Sequence, residues 1–279
     1  MTKRWAILLG LAVGACAPVA RPDDAGARIL SLNPCTDAIL AELADPGQIV
    51  ALSAFSRDPA QSSMDIGLAR HWPATGGTVE EVIAARPSLV VAGGFTPPAT
   101  RAAYARLGVP LVEFGMATTV ADSVGQIRQM ARLTGHPARG EAMVARIERA
   151  LQSAAPPRGA QAIPALVWQG GGLVAGPHTL ISELLVRTGF VPISATKGLT
   201  QSQFLPLEAV VADPPAVILA VSHGAGGESG RSLSHPVLGG LRATQRFTLD
   251  PALEFCGGPT ILRAAARLAE IRRSRENGA

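Results

Sequence analysis

Two cysteines stand where sulfur could do chemistry: Cys35 in Asn33-Pro34-Cys35, and Cys256 in Glu254-Phe255-Cys256-Gly257-Gly258, each shortly after an apolar run of strand length. Three readings stand for the pair. The sulfurs can close a disulfide, touch a ligand or ligate a soft metal, or pack as small buried apolar groups. A fourth use would be catalytic, with Cys256 or Cys35 as the nucleophile of an exported cysteine- or metal-dependent hydrolase and His223 as its base. The frame for that chemistry is missing, because the chain has no Gly-x-Ser-x-Gly elbow and no His-Glu-x-x-His helix. His71, His136, His178, His223 and His235 show no zinc-type spacing. The glycine-rich run 224–230 lacks the Gly-Lys-Ser/Thr ending of a phosphate loop and reads as a loop at a cleft mouth.

The elements that must position these groups announce themselves by repetition. Residues 78–92 and 206–220 align without a gap at an offset of 128, pairing Glu80 with Glu208, Val82 with Val210 and Pro87 with Pro215. Each copy reads as a short helix stopped by proline and followed by an apolar strand buried on both faces. A unit that recurs once, so far apart, predicts two similar lobes rather than a solenoid, and a cleft between them. Around the first copy the chain alternates strand and helix: strands at 29–32, 49–52 and 111–114, helices over 36–43 and 100–107. The second lobe predicts a strand at 165–168, a helix over 180–188, a strand at 247–249 and a helix from about Thr260. Residues 121–155 hold no strand candidate, and Pro137 fits the first turn of a long helix.

The fold class expected is therefore α/β: two Rossmann-like lobes with parallel-rich sheets joined by a single long α-helix. The boundaries expected are a leader and tether over 1–27, a first lobe over 28–120, a connecting segment over 121–156 and a second lobe over 157–279.

Composition narrows the function. The chain has 279 residues, 47% hydrophobic and 16% charged, which is globular material. Its net charge of +4 includes Lys3 and Arg4 of the leader and is scattered, which gives no nucleic-acid footprint. The basic start and the apolar run from Trp5 to Ala15, too short to span a bilayer, read as an export signal. Val13-Gly14-Ala15-Cys16 resembles the lipobox of bacterial lipoproteins, which makes Cys16 the candidate lipidated residue; the competing reading is cleavage after Ala17 to a soluble periplasmic form. Either way the expected place of work is the periplasm or cell envelope.

The opening Arg28-Ile-Leu-Ser-Leu-Asn-Pro-Cys-Thr-Asp37, the segment Gly76-Gly77-Thr78-Val79-Glu80 with its Ala-Arg-Pro-Ser-Leu-Val-Val continuation, the phrase Arg106-Leu107-Gly108-Val109-Pro110, and the second-lobe copy resemble the helical-backbone class of periplasmic binding proteins. That class feeds ABC importers with cobalamin, haem or ferric siderophores. The resemblance implies capture of a metal chelate between two stiff lobes by a non-enzymatic monomer, and delivery to a permease dimer at the inner membrane. It also implies that Glu80 and Glu208, one per lobe, dock onto the permease. The plainer reading is helix capping, which suits Glu81 through a Thr78–Glu81 capping box. A third reading of the whole chain is a binding lipoprotein that signals or stores.

Ligand contacts are expected from strand-end loops facing the opposite lobe: Phe55 and Arg57, Phe95, Trp168 and Gln169, Phe204, His223, and Phe255 with the two cysteines. Planar rings grip a large chelate, and arginine pairs with carboxylates. Trp168 and Phe204 have core packing as their competing reading.

Overall fold

A computed structural model describes residues 26–222, 238 and 240–277. Cys16, His223, the glycine-rich run and most of the leader lie outside the described residues. In the first lobe, β1 (Ile29–Ser31) leads to α1 (Pro34–Leu43), β2 (Ile49–Ser53), a one-turn α2 (Ile66–Ala69), β3 (Ala74–Thr75), α3 (Val79–Ala85), β4 (Leu89–Gly93), α4 (Pro98–Arg106) and β5 (Leu111–Phe114). All pairings are parallel, in the order β3-β2-β1-β4-β5. The helices α5 (Val120–Leu133) and α6 (Pro137–Ala154) follow. The second lobe contains β6 (Ile163–Trp168), β7 (Leu173–Val174), α7 (Leu180–Arg187), β8 (Phe190–Pro192), β9 (Gln203–Phe204), α8 (Leu207–Ala212), β10 (Val217–Val221), β11 (Gln245–Leu249) and α9 (Thr260–Asn277). Its sheet runs β11-β10-β6-β7-β9, with β8 also on β6; β7 alone pairs antiparallel, with β6 and β9.

The internal repeat is structural. β4 lies between β1 and β5, and β10 lies between β6 and β11, so the two copies occupy the same place in their sheets. Val82 and Val210, paired in the sequence, are both fully buried on the helix preceding that strand. All five residues of β10 are buried, as a strand covered by helices on both faces requires. Successive residues point to opposite faces. Val90 thus packs with Val82 and Tyr104 on the outer side, while Val91 joins a core that continues through Met130 and Ile147 to Leu219 and Leu268.

The connection contains the long helix expected from Pro137, α6, with a second helix, α5, packed before it. Residues 120–154 form two helices packed on each other, because Gly135 takes a left-handed φ of 77° that ends α5, and Pro137 starts α6 with φ already set for a helix. Only the 18-residue α6 leads into the second lobe. Among the described residues no helix is long and apolar enough to cross a membrane.

Candidate functional site

The carboxyl ends of the parallel strands in both sheets open onto one crevice, the position where open α/β sheets take ligands. After β1, the Asn33 side chain accepts the Cys35 N–H at 2.9 Å and caps α1. After β11, Asp250 caps a short 3-10 turn through the Ala252 N–H, delivering Glu254, Phe255 and Cys256 to the same crevice. Cys35 and Cys256 form a disulfide with Cα atoms 5.1 Å apart. Of the readings open from sequence, the disulfide is the one the structure contains. Neither sulfur is then a free thiolate, which removes the nucleophile on which the hydrolase reading depended.

Glycine permits this closeness. At Gly257 an added Cβ would fall 2.4 Å from the Ser123 hydroxyl, and Gly258, at φ 63°, would press one against Ile39 at 2.5 Å. Instead the Gly258 N–H donates to Ser123 Oγ at 2.7 Å. The Val120 N–H likewise donates to Glu183 at 2.7 Å, so the start of α5 is held against α7. The two lobes are therefore joined by covalent and hydrogen bonds at the crevice itself.

A cavity of about 500 Å³ runs between Met116, Ala117 and Thr118 after β5 and Gln169, Leu180, Glu254 and Phe255 of the second lobe. A second chamber of about 210 Å³ shares Met116, Ala117 and Phe255 and extends to Cys35, Gly94 and Phe95. A third of about 280 Å³ lies behind the disulfide, lined by Phe55, Phe255 and Cys256. Phe255 borders all three. Four of the seven phenylalanines stand out into solvent: Phe95 is 85% exposed, Phe204 73%, Phe255 57% and Phe55 50%. Three of these rings, Phe55, Phe95 and Phe255, line the crevice chambers, and exposed rings so grouped mark a binding surface rather than a core.

The structure thus brings Cys35, Phe55, Phe95, Gln169, Phe255 and Cys256 to adjoining chambers. It sends others elsewhere. Arg57 is exposed but lines none of these chambers, and its guanidinium donates to the Trp72 carbonyl. Trp168 is only 3% exposed and packs in the outer core of the second lobe, meeting Phe204 at a separate cavity of about 430 Å³. Adjacent residues at a strand end point to opposite sides, and Gln169 rather than Trp168 reaches the crevice.

Two crevice residues were not singled out from sequence, Met116 and Glu254. Glu254 is 4% exposed, and its carboxylate accepts a hydrogen bond from Gln169 Nε2. Burial pushes its pKa up to about 7, against the lowering effect of that hydrogen bond. No signal of spacing or periodicity marks a buried acid that follows a 3-10 turn. Among the described residues lining the three chambers there is no lysine or arginine. Among the described residues no group of three or more His, Cys, Asp or Glu converges as for a bound metal ion.

Glu80 and Glu208 lie in the first turns of α3 and α8. Both side chains are exposed, with no hydrogen-bond or ion-pair partner among the described residues. Glu81 is different. The Thr78 hydroxyl accepts the Glu81 N–H at 3.2 Å, while the Glu81 carboxylate folds onto the Thr75 hydroxyl and the N–H groups of Gly76 and Gly77. These bonds, that from Thr75 foremost, hold its pKa below the ordinary value.

Comparison with known proteins agrees with this geometry. The periplasmic haem-binding protein RhuT from Roseiflexus sp. RS-1 is 24% identical and superposes with a TM-score of 0.74 over 90% of this chain and 99% of its own. The vitamin B12 binding protein BtuF of Vibrio cholerae is 20% identical, with a TM-score of 0.68 over 90% of this chain and 98% of its own. Two strains of Halobacterium salinarum carry a curated cobalamin-binding protein that is 27% identical over 223 residues, 75% of this chain. The chain spans 60% of the length of those relatives. The family model for periplasmic binding proteins matches residues 29–247, and the chain belongs to that family.

Proposed function

We propose that this protein is the exported binding component of an ABC importer, capturing a metal chelate in the inter-lobe crevice and delivering it to a permease dimer at the inner membrane. The observation that carries the reading is Phe255, an exposed ring at the junction of three chambers that open between the lobes. The family and the cobalamin-binding relatives support it. On this reading the units are the leader and tether over 1–27, lobes over 28–120 and 157–279 and the connecting segment over 121–156, with Cys16 as lipid anchor and the mature protein a periplasmic monomer.

Among the three chelates, a corrinoid fits the described crevice best. Haem iron takes a histidine, cysteine thiolate, methionine or tyrosine from its protein. In the three chambers the cysteines are oxidised and Met116 is the one such donor among the described lining residues. The single tyrosine, Tyr104, is buried in the first lobe. A corrinoid brings its own axial ligands and asks for apolar walls and hydrogen bonds. Anionic ferric siderophores and haem propionates call for cations, which the described lining lacks.

Glu80 and Glu208 are the proposed docking pair. Their equivalence in the repeat, exposure and lack of partners among the described residues support that role, and in α3 the capping is already performed by Thr78. An absorption spectrum with native mass spectrometry of the protein purified from its own periplasm tests the ligand class, since haem, corrinoids and ferric chelates have distinct visible bands. A corrinoid spectrum is expected; a haem Soret band would replace the corrinoid reading.

A further inference from the structure

The largest chamber is apolar over most of its wall, yet Glu254 and Gln169 are set into it, 4% and 6% exposed. Their mutual hydrogen bond runs from Gln169 Nε2 to Glu254 Oε1. That bond leaves Gln169 Oε1 and Glu254 Oε2 buried and without a partner among the described residues. Both are acceptors when the carboxyl is ionised. Two unmet acceptors in an apolar pocket are costly, and the cost ends only when something supplies N–H or O–H donors. A primary carboxamide has two N–H groups on one nitrogen and can answer both; a carboxylate has none and adds like charge.

We propose that Glu254 and Gln169 form a paired acceptor that selects chelates with carboxamides on their rim over chelates with carboxylates. The proposal rests on the crevice being the chelate site, and it assigns the pair a specificity role. The absence of lysine and arginine from the described chamber linings points the same way, because nothing there would neutralise a carboxylated rim. A site that hydrogen-bonds a group rejects the analogue that leaves its buried partners unpaired far better than an apolar wall does.

The test compares two corrinoids with the same ring and cobalt, dicyanocobinamide with amide side chains and dicyanocobyrinic acid with carboxylates, titrated at pH 8 against wild type and Glu254→Gln. Wild type is expected to prefer the amide form by about 100-fold, and Glu254→Gln to reduce that ratio by about tenfold while remaining at least as stable as wild type at pH 8. A second measurement needs no variant. Among monocarboxylic acids of cyanocobalamin, each with one amide hydrolysed, one position is expected to account for a loss of about tenfold or more and the others for much less. An unchanged ratio in Glu254→Gln, or equal affinities across the monoacids, overturns the specificity role while leaving the ligand class intact. Wild type binding haem but neither corrinoid overturns both.

Discussion

Cys35 and Cys256 are 221 residues apart in the chain and joined by a disulfide, so the first turn of α1 in one lobe is tied to the turn that precedes α9 in the other. Such a bond is compatible with an exported protein and with a binding cleft that closes little. The loop it closes is long, which favours a large effect on the unfolded chain. Cys35→Ser with Cys256→Ser is expected to lose roughly 2–5 kcal/mol of stability by denaturant unfolding, and reduction of the wild type should give the same loss. A double variant as stable as wild type would show that the bond adds nothing beyond the lobe contacts.

The exposed rings give the second prediction. Phe255→Ala and Phe95→Ala should each weaken chelate binding by about tenfold, with Phe255 the larger effect because it borders three chambers. Thermal stability should hardly change, since both rings face solvent. Trp168→Ala is the control of opposite character: buried in the core, it should cost about 3–5 kcal/mol of stability. Titration calorimetry and thermal melts on the three variants separate the two classes.

Two buried carboxyls set the pH dependence of stability. Burial raises both Asp37, against hydrogen bonds from the Ser56 hydroxyl and the Ser53 N–H, and Glu254 to pKa values of about 7. Their unfolded values lie near 4. Between those limits the folded protein holds more protons than the unfolded chain, so their contribution is complete below about pH 4 and is lost as pH rises through about 7. Unfolding at pH 5.5 and pH 8 should show the protein less stable at pH 8 by on the order of a few kcal/mol. Asp37→Asn should flatten the difference; a stability that rises between those pH values would contradict the assignment.

Glu80 and Glu208 make the fourth prediction. Glu80→Ala with Glu208→Ala should lower transport and permease binding while chelate affinity stays unchanged and stability shifts by no more than about 0.5 kcal/mol, as for surface sites without partners. Normal transport by the double variant would return both residues to plain helix starts.

Much of this arrangement was legible before the structure. The proline-stopped helix and following apolar strand of each repeat copy located β4 and β10, because runs buried on both faces leave a local trace. Strand-end loops likewise pointed to Phe55, Phe95 and Phe255. What sequence could not reach was set by distant contacts. Glu254 acquires its character from burial beside Gln169, 85 residues away, and Met116 from the approach of the second lobe. Arg57 looked like an anion clamp and is instead spent on the Trp72 carbonyl. The start of α6 was written in the Gly-His-Pro sequence, whereas α5 before it was legible only as a span without a strand.

The most direct test of the central claim is a spectroscopic titration of the purified mature protein with cyanocobalamin, haem and a ferric siderophore, repeated with Phe255→Ala. One cyanocobalamin should bind per monomer, with a rise in melting temperature equivalent to about 2.7 kcal/mol when ligand exceeds Kd 100-fold, and the variant should bind about tenfold more weakly. Failure of all three chelates to bind, or binding that Phe255→Ala leaves untouched, would contradict the crevice as the site of capture.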